Sequence, residues 1–141
     1  MAKLCRAILI DPEMRRMKAI KCSGQPSEVR ELIGAGGLEF VRLADHGDIW
    51  DYGWFDDNAL LRGNPVYAFK FYDWRNPIPG KCLVVGTDKA SGDTVDAGFD
   101  YILLCGVVYW LGLILPEVTW DRGPNGVMSA IITYSRVKAN V

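Results

Sequence analysis

Short β-prone runs, each closed by a turn signal, dominate this sequence and restrict the folds open to it. Residues 4–10 form a run that Asp11 and Pro12 stop, and residues 17–22 alternate polar and apolar side chains with the period of a strand. Few units have the order strand, helix, strand, so an antiparallel arrangement is favoured. The sequence therefore predicts an α+β fold, a single domain over residues 1–141 with a largely antiparallel sheet and one or two helices. Further strands are predicted at residues 38–43, 66–74 and 81–88, and a terminal hairpin at residues 117–137.

Two segments are candidates for helices. In "QPSEVRELIGAGG", Pro26 suits the first helical position, Glu28 suits the first turn, and the glycines from Gly34 end the helix. The uncharged run "YILLCGVVYWLGLIL" (residues 101–115) is shorter than the roughly twenty residues that a membrane-spanning helix needs. We expect a buried core helix there, either one helix throughout or a helix that continues into a strand, and no membrane association.

Composition excludes several classes of protein. Half of the 141 residues are hydrophobic, 23% are charged and the net charge is −1, which is typical of a folded soluble domain without a nucleic-acid binder's basic field. The four cysteines lie far apart without metal-ligand spacing, as expected for reduced thiols in a cytoplasmic protein. We expect no cofactor and no metal.

The stretch "ADHGDIWDYGWFDDN" (residues 44–58) concentrates chemically useful side chains. As a hydrolase site, it offers His46 as a base oriented by Asp45 or Asp48, but the nucleophile would have to come from elsewhere. As a metal site, it lacks the calcium-loop pattern, because its aspartates recur every three residues and alternate faces in a strand. Neither chemistry is favoured.

A hairpin explains the same stretch better. His46, Gly47 and Asp48 supply turn chemistry, and Gly53 is a candidate bulge. Regular alternation places Trp50, Tyr52 and Trp54 on one strand face and Asp51 on the other. Aromatic side chains among carboxylates are typical of protein-binding surfaces, although burial of all the aromatics in the core is an equally good interpretation. The candidate partner-binding residues are Asp45, His46, Asp48, Trp50, Asp51, Tyr52, Trp54, Asp56 and Asp57.

Basic residues elsewhere leave a small-ligand site open. Phosphate recognition requires several of them to converge on one point. The candidates are Arg15, Arg16, Lys70 and Arg75. Homo-oligomerisation is also possible, because a chain with this many β-prone runs can expose a sheet edge.

Four segments, in this order, resemble a family of small proteins that is common in bacteriophages, plasmids and integrated elements and is defined only as a domain of unknown function. They are "RAILIDPEMRRMKAIKCSG", "EVRELIGAGGLEFVRLAD", "FDDNALLRGNP" and "IPGKCLVVGTDKASGDTVD". The resemblance covers roughly residues 4–96 and departs from the pattern at residues 50–55 and after residue 115. It supplies no catalytic residues. It implies an accessory protein of a phage or mobile element that works in a bacterial cytoplasm.

These observations predict a non-enzymatic accessory protein that binds a host bacterial protein, with inhibition of a defence system as the expected role. A protein that binds or sequesters a nucleotide-derived signal is the alternative. A hydrolase that uses His46 and a neighbouring aspartate is the third interpretation.

Overall fold

Antiparallel strands form two sheets in this protein. A computed structural model describes residues 3–56, 58–72, 74 and 76–137, although not the side chain of Tyr101. In chain order, the elements of this part are β1 (Cys5–Asp11), β2 (Arg16–Cys22), α1 (Pro26–Ile33), β3 (Glu39–Asp45), β4 (Ile49–Phe55), β5 (Val66–Phe71), β6 (Ile78–Pro79), β7 (Cys82–Asp88), β8 (Thr94–Val95), α2 (Tyr101–Cys105), β9 (Val108–Arg122) and β10 (Met128–Arg136).

The first sheet has the strand order β2-β1-β7-β4-β3, and β8 pairs with the far end of β7. The second sheet has the order β10-β9-β5-β6. Strand β7 lies at the centre of the first sheet, and its residues from Cys82 to Gly86 are buried, as expected for a strand covered on both faces. The predicted central strand at residues 81–88 is confirmed, and so is the predicted antiparallel pairing.

The core lies between the two sheets and consists of apolar side chains from both. Ile8 and Val84 of the first sheet pack in one buried cluster with Phe69 and Val108 of the second. A smaller cluster covers the opposite face of the first sheet, where Val29 and Ile33 of α1 pack against Leu83 and Val85. The first sheet is therefore covered on both faces along β1 and β7.

Helix α1 forms as the sequence predicts. Pro26 occupies the first turn, where its missing N–H costs no hydrogen bond. The Glu28 carboxylate accepts a 2.7 Å hydrogen bond from the backbone N–H of Ser23. Gly34 ends the helix in the left-handed region with φ 68°, a conformation that glycine adopts without steric cost.

Residues 101–115 contain a helix followed by a strand, one of the two predicted arrangements, but the helix is shorter and more exposed than expected. Helix α2 has only five residues, and β9 begins at Val108 and runs fifteen residues to Arg122. Leu104 of α2 is buried, but Ile102 is 80% exposed. An apolar run without a clear period fits either a helix or a strand, and pairing with β5 decides for the strand.

Candidate functional site

The acidic and aromatic stretch forms the β3–β4 hairpin. Gly47 has φ 86° in its turn, and Asp45 Oδ1 accepts a 2.9 Å hydrogen bond from the Gly47 N–H. The N–H of His46 donates to the Ile49 carbonyl across the turn. The turn chemistry predicted for His46, Gly47 and Asp48 therefore sets the start of β4, and with it the direction of every later side chain.

Side chains of β4 alternate strictly between its two faces. Asp51, Gly53 and Phe55 are buried, whereas Trp50, Tyr52 and Trp54 are half-buried. The predicted bulge at Gly53 is wrong, because β4 stays in register with β7 through that residue. The extra residue is Leu43 in β3, between Arg42 and Ala44.

Gly53 has a packing role instead. A Cβ at this position would lie 2.9 Å from Cys82 Sγ and 3.1 Å from a methyl carbon of Leu43. Neighbouring side chains therefore fill the space that any other residue would need.

Asp51 is the fully buried charged residue of the hairpin, so its predicted role in partner binding is wrong. Its Oδ1 accepts a 2.8 Å hydrogen bond from the Gly98 N–H, and its Oδ2 accepts one of 2.8 Å from the Phe99 N–H. His46 Nε2 lies 3.0 Å from the same Oδ2. A buried carboxylate needs such partners, so Asp51 fixes the segment before α2 to the inner face of β4.

His46 belongs to the same arrangement. Its ring meets the Phe99 ring edge-on, with centroids 4.9 Å apart, and it packs directly on Gly98. In a hydrolase, the second ring nitrogen would activate a nucleophile. The hydrogen bonds found in the described residues link His46 to Asp51 and to no Ser, Thr or Cys.

The other face of β4 carries an exposed aromatic surface. Phe40 is 54% exposed. The centroid of its ring lies 5.3 Å from the centroid of the Tyr52 ring and 5.1 Å from that of the Trp54 ring. Together with Thr87 these three residues line a shallow groove of about 220 Å³, which we call the aromatic groove. Tyr52 and Trp54 also pack on the cluster beneath α1, so their rings are held from below.

Sequence reasoning missed Phe40. This residue lies in β3, outside the aromatic stretch, and the bulge at Leu43 helps to set its pairing opposite Trp54. Hairpin pairing alone signals that a residue of β3 borders the β4 aromatics, but the bulge determines which one.

Two cations pack on the ring of Trp50. The Arg42 guanidinium lies 4.1 Å from the Trp50 ring centroid, and Lys89 Nζ lies 4.0 Å from it. Lys89 Nζ also donates to Asp45 Oδ1 at 2.6 Å. This hydrogen bond, followed by the one from the Gly47 N–H, lowers the pKa of Asp45. Trp50 therefore packs on charged side chains, whereas Phe40 packs on the aromatic rings of the groove.

Asp48 and Asp56 lie at opposite ends of β4. Asp48 is exposed in the turn, and its carbonyl accepts the Lys89 N–H. Asp56 follows the strand, where its Oδ2 pairs with Arg62 at 2.9 Å. Asp57 lies outside the described residues. The carboxylates of Asp48 and Asp56 thus do not line the aromatic groove.

The predicted phosphate ligands lie on different elements. Arg15 sits in the β1–β2 turn with its guanidinium beside Gly112, Arg16 begins β2, and Lys70 lies on β5 opposite Tyr109. Arg75 lies outside the described residues. A different basic set comes together around an open cleft of about 560 Å³, which is lined by Lys3, Arg6 and Lys21 with Asp96.

Comparisons with protein-family models, with curated proteins and with solved structures gave no match. The resemblance of residues 4–96 to a mobile-element family therefore stays a prediction. Within the described ranges, neither helix is long and apolar enough to cross a membrane.

Proposed function

We propose that this protein is a non-enzymatic binding protein whose partner docks on the aromatic groove. The observation that carries the proposal is the exposed ring of Phe40 beside Tyr52 and Trp54. Large aromatic side chains supply much of the binding energy in protein interfaces. The family resemblance supports the context, so the proposed partner is a host bacterial protein, a component of a defence system that a mobile element needs to inhibit.

The size of the groove favours a protein partner over a small molecule. Small-molecule pockets commonly enclose about 300–1,000 Å³. The groove, at about 220 Å³, is smaller and shallow. It suits one apolar side chain that projects from a partner surface, with the exposed face of Phe40 as one wall.

The groove is also supported from behind. Tyr52 and Trp54 belong to a strand that is paired on both sides, to β3 and to β7. On the reverse face of that strand, Asp51 binds two backbone N–H groups. A surface fixed in this way loses little conformational entropy on binding, which raises affinity.

Substitution of the groove tests the proposal. Phe40→Ala and Trp54→Ala are compared with Tyr109→Ala, which removes a half-exposed aromatic ring from the other sheet. Each folded variant is immobilised, and proteins retained from a bacterial lysate are quantified by mass spectrometry. We expect at least one protein to be retained by wild type and Tyr109→Ala and lost by both groove variants. Equal recovery by all three variants would contradict the proposal.

A second candidate function rests on the basic cleft. Lys3, Arg6 and Lys21 surround about 560 Å³, enough for a nucleotide-sized ligand. The guanidinium of Arg6 is held in place by the carbonyls of Ala97 and Phe99. Thermal unfolding with a panel of nucleotides tests this candidate, since a ligand at a hundred times its Kd adds about 2.7 kcal/mol. Lys21→Ala should remove any such shift, and Lys18→Ala should not.

A further inference from the structure

Strands β9 and β10 extend beyond the body of the second sheet. β5 pairs with β9 only as far as Ile114, whereas β10 pairs with β9 from Ile114 to Arg122. Residues 115–122 and 128–135 therefore form a two-stranded extension, which we call the terminal ribbon. Two strands without further cover are marginally stable in water, so this ribbon needs a partner surface.

The terminal ribbon has one apolar face. Its register places Val118 beside Ile132 and Trp120 beside Ala130 on that face. Near the body, Ile132 packs on a buried cluster. Toward the tip the cover ends, and Trp120 is 61% exposed and Met128 52% exposed. Apolar area of this kind is typical of an interaction surface.

Among the described strands, none pairs with the outer edge of β10, where the backbone points outward at every second residue. The Val137 N–H donates to the Leu113 carbonyl, and the Gly123 N–H donates to the Val127 carbonyl. Because bonding alternates along an antiparallel pair, the odd-numbered residues of β10 face β9. The N–H and C=O groups of Met128, Ala130, Ile132, Tyr134 and Arg136 therefore point away from the sheet.

This edge lacks the usual protection against pairing. Residues 128–135 contain no charged side chain and no proline. Natural sheet edges are commonly protected by charges, prolines, bulges or covering loops. Open space of about 400 Å³ separates residues 130–132 from Asn76, and a second cavity of about 230 Å³ separates Ala130 and Ile132 from Trp74 and Pro77.

We propose that β10 pairs antiparallel with β10 of a second copy of this chain, about a twofold axis at Ile132. Outward-facing residues then meet one another: Met128 lies opposite Arg136, Ala130 opposite Tyr134, and Ile132 opposite itself. On the polar face, Ser129 lies opposite Ser135. No like charges face each other directly across the new pair, so the strand is complementary to itself.

Symmetry fits a second copy. A perpendicular twofold axis keeps the apolar faces of both ribbons on the same side, joining two four-stranded sheets into one. Each copy contributes the nine residues of β10 to the new pair, so main-chain hydrogen bonds along that strand supply much of the affinity.

The register can be tested with charges on the polar face. Ser129→Lys combined with Ser135→Lys places like charges opposite each other in both symmetry-related pairs. Ser129→Lys combined with Ser135→Glu places opposite charges there. Both positions are exposed, so the monomer tolerates either combination. Dissociation constants come from analytical ultracentrifugation, and circular dichroism checks that each variant folds.

We expect a wild-type dimer, a dissociation constant about tenfold higher or more in the double-lysine variant, and recovery of dimer affinity in the lysine–glutamate variant. Phe40→Ala should remain dimeric, since the aromatic groove lies on the other sheet, so failure of the proposed function leaves this test unaffected. A wild type that is monomeric up to roughly 100 μM would overturn the proposal, because a specific dimer binds more tightly. Equal dimerisation of both charge variants would also overturn it.

A second variant guards against misfolding of the double-lysine protein. Ala130→Pro removes an outward N–H and leaves the hydrogen bonds from β10 to β9 in place. Loss of the dimer in this variant would support the proposal, and a dimer of unchanged affinity would overturn it.

Discussion

The Nε2 atom of His46 lies 3.0 Å from Oδ2 of Asp51, a carboxylate that is fully buried. Both residues come from one hairpin, yet they secure a distant segment, because the same carboxylate binds the N–H groups of Gly98 and Phe99. The pair resembles the base and orienting acid of a hydrolase. The two carboxylate oxygens of Asp51 already accept hydrogen bonds from backbone N–H groups, which supports a structural role for the pair.

Replacing Asp51 with asparagine should destabilise the protein severely. An amide has one acceptor oxygen, so its nitrogen would face the N–H of either Gly98 or Phe99 and leave it unsatisfied. We expect a loss of about 2–4 kcal/mol in the free energy of unfolding, measured by urea titration. Asp48→Asn, at an exposed position of the same turn, is the matched control and should change stability by less than about 0.5 kcal/mol. Equal stability of the two variants would contradict the structural role.

Replacing Gly98 with alanine should separate His46 from Asp51. A Cβ at Gly98 would overlap the His46 ring, so either the ring or the loop must move. We expect a loss of about 1–3 kcal/mol, read as a lower Tm. Gly36→Ala is the control, because nothing lies within 4 Å of a Cβ placed there. A Gly98→Ala protein as stable as the control would show that the loop adapts freely.

The ion pair of Asp45 with Lys89 predicts a specific acid sensitivity. The hydrogen bond from Lys89 lowers the pKa of Asp45 below its ordinary value of 3.8. A lowered folded-state pKa means that the stabilisation is complete above pH 3.8 and is lost as the pH falls through the folded-state value. The stability difference between wild type and Asp45→Asn should therefore shrink below that pH and at high salt. A stability difference between the two proteins that does not change with pH would contradict the stabilising role of the ion pair.

Thiol labelling should distinguish the four cysteines. Cys105 is exposed, whereas Cys5, Cys22 and Cys82 are buried. Burial raises the pKa of the Cys22 and Cys82 thiols, which keeps them protonated and unreactive at neutral pH. We expect one thiol to react quickly in the native protein and four in denaturant. Cys105→Ser should remove the fast reaction, and rapid labelling that persists would show that a buried cysteine opens to solvent.

The same cysteines predict how stability changes at alkaline pH. A folded-state pKa raised above the unfolded value of 9.0 gives stability that is complete below that pH and is lost above it. Unfolding free energy should therefore fall as the pH rises past the ordinary thiol pKa. Cys82→Ala should show a smaller fall, which chemical denaturation at several pH values would measure. An identical fall in the variant would assign the effect to other groups.

Local patterns in the sequence predict much of the first sheet. The Asp11-Pro12 turn, helix α1 with its terminal Gly34, and the β3–β4 turn each depend on residues close in sequence. Alternation along β4 also predicts that Asp51 faces away from Trp50 and Tyr52. It does not reveal which face is inner, because the answer depends on the second sheet and on Gly98 and Phe99, 47 and 48 residues later.

The terminal part of the chain was predicted less well, for a related reason. The hairpin of residues 117–137 is confirmed, but the sequence left open where the helix in residues 101–115 ends, and β9 begins already at Val108. Leucine and valine in that run suit either structure, and the pairing of Val108 with Phe71 selects the strand. Contacts between distant segments therefore decide both the length of β9 and the position of the aromatic groove.

The strict alternation along β4 also bears on how the chain avoids misfolding. A slip of one residue against β7 would force Tyr52 and Trp54 into the space between the sheets and turn Asp51 outward. The close fit at Gly53 would be lost, and the N–H groups of Gly98 and Phe99 would have no acceptor. A misaligned hairpin is thus penalised by steric overlap and by unsatisfied polar groups together. One carboxylate and one glycine on a single strand give the native alignment a large energy gap over its nearest competitor.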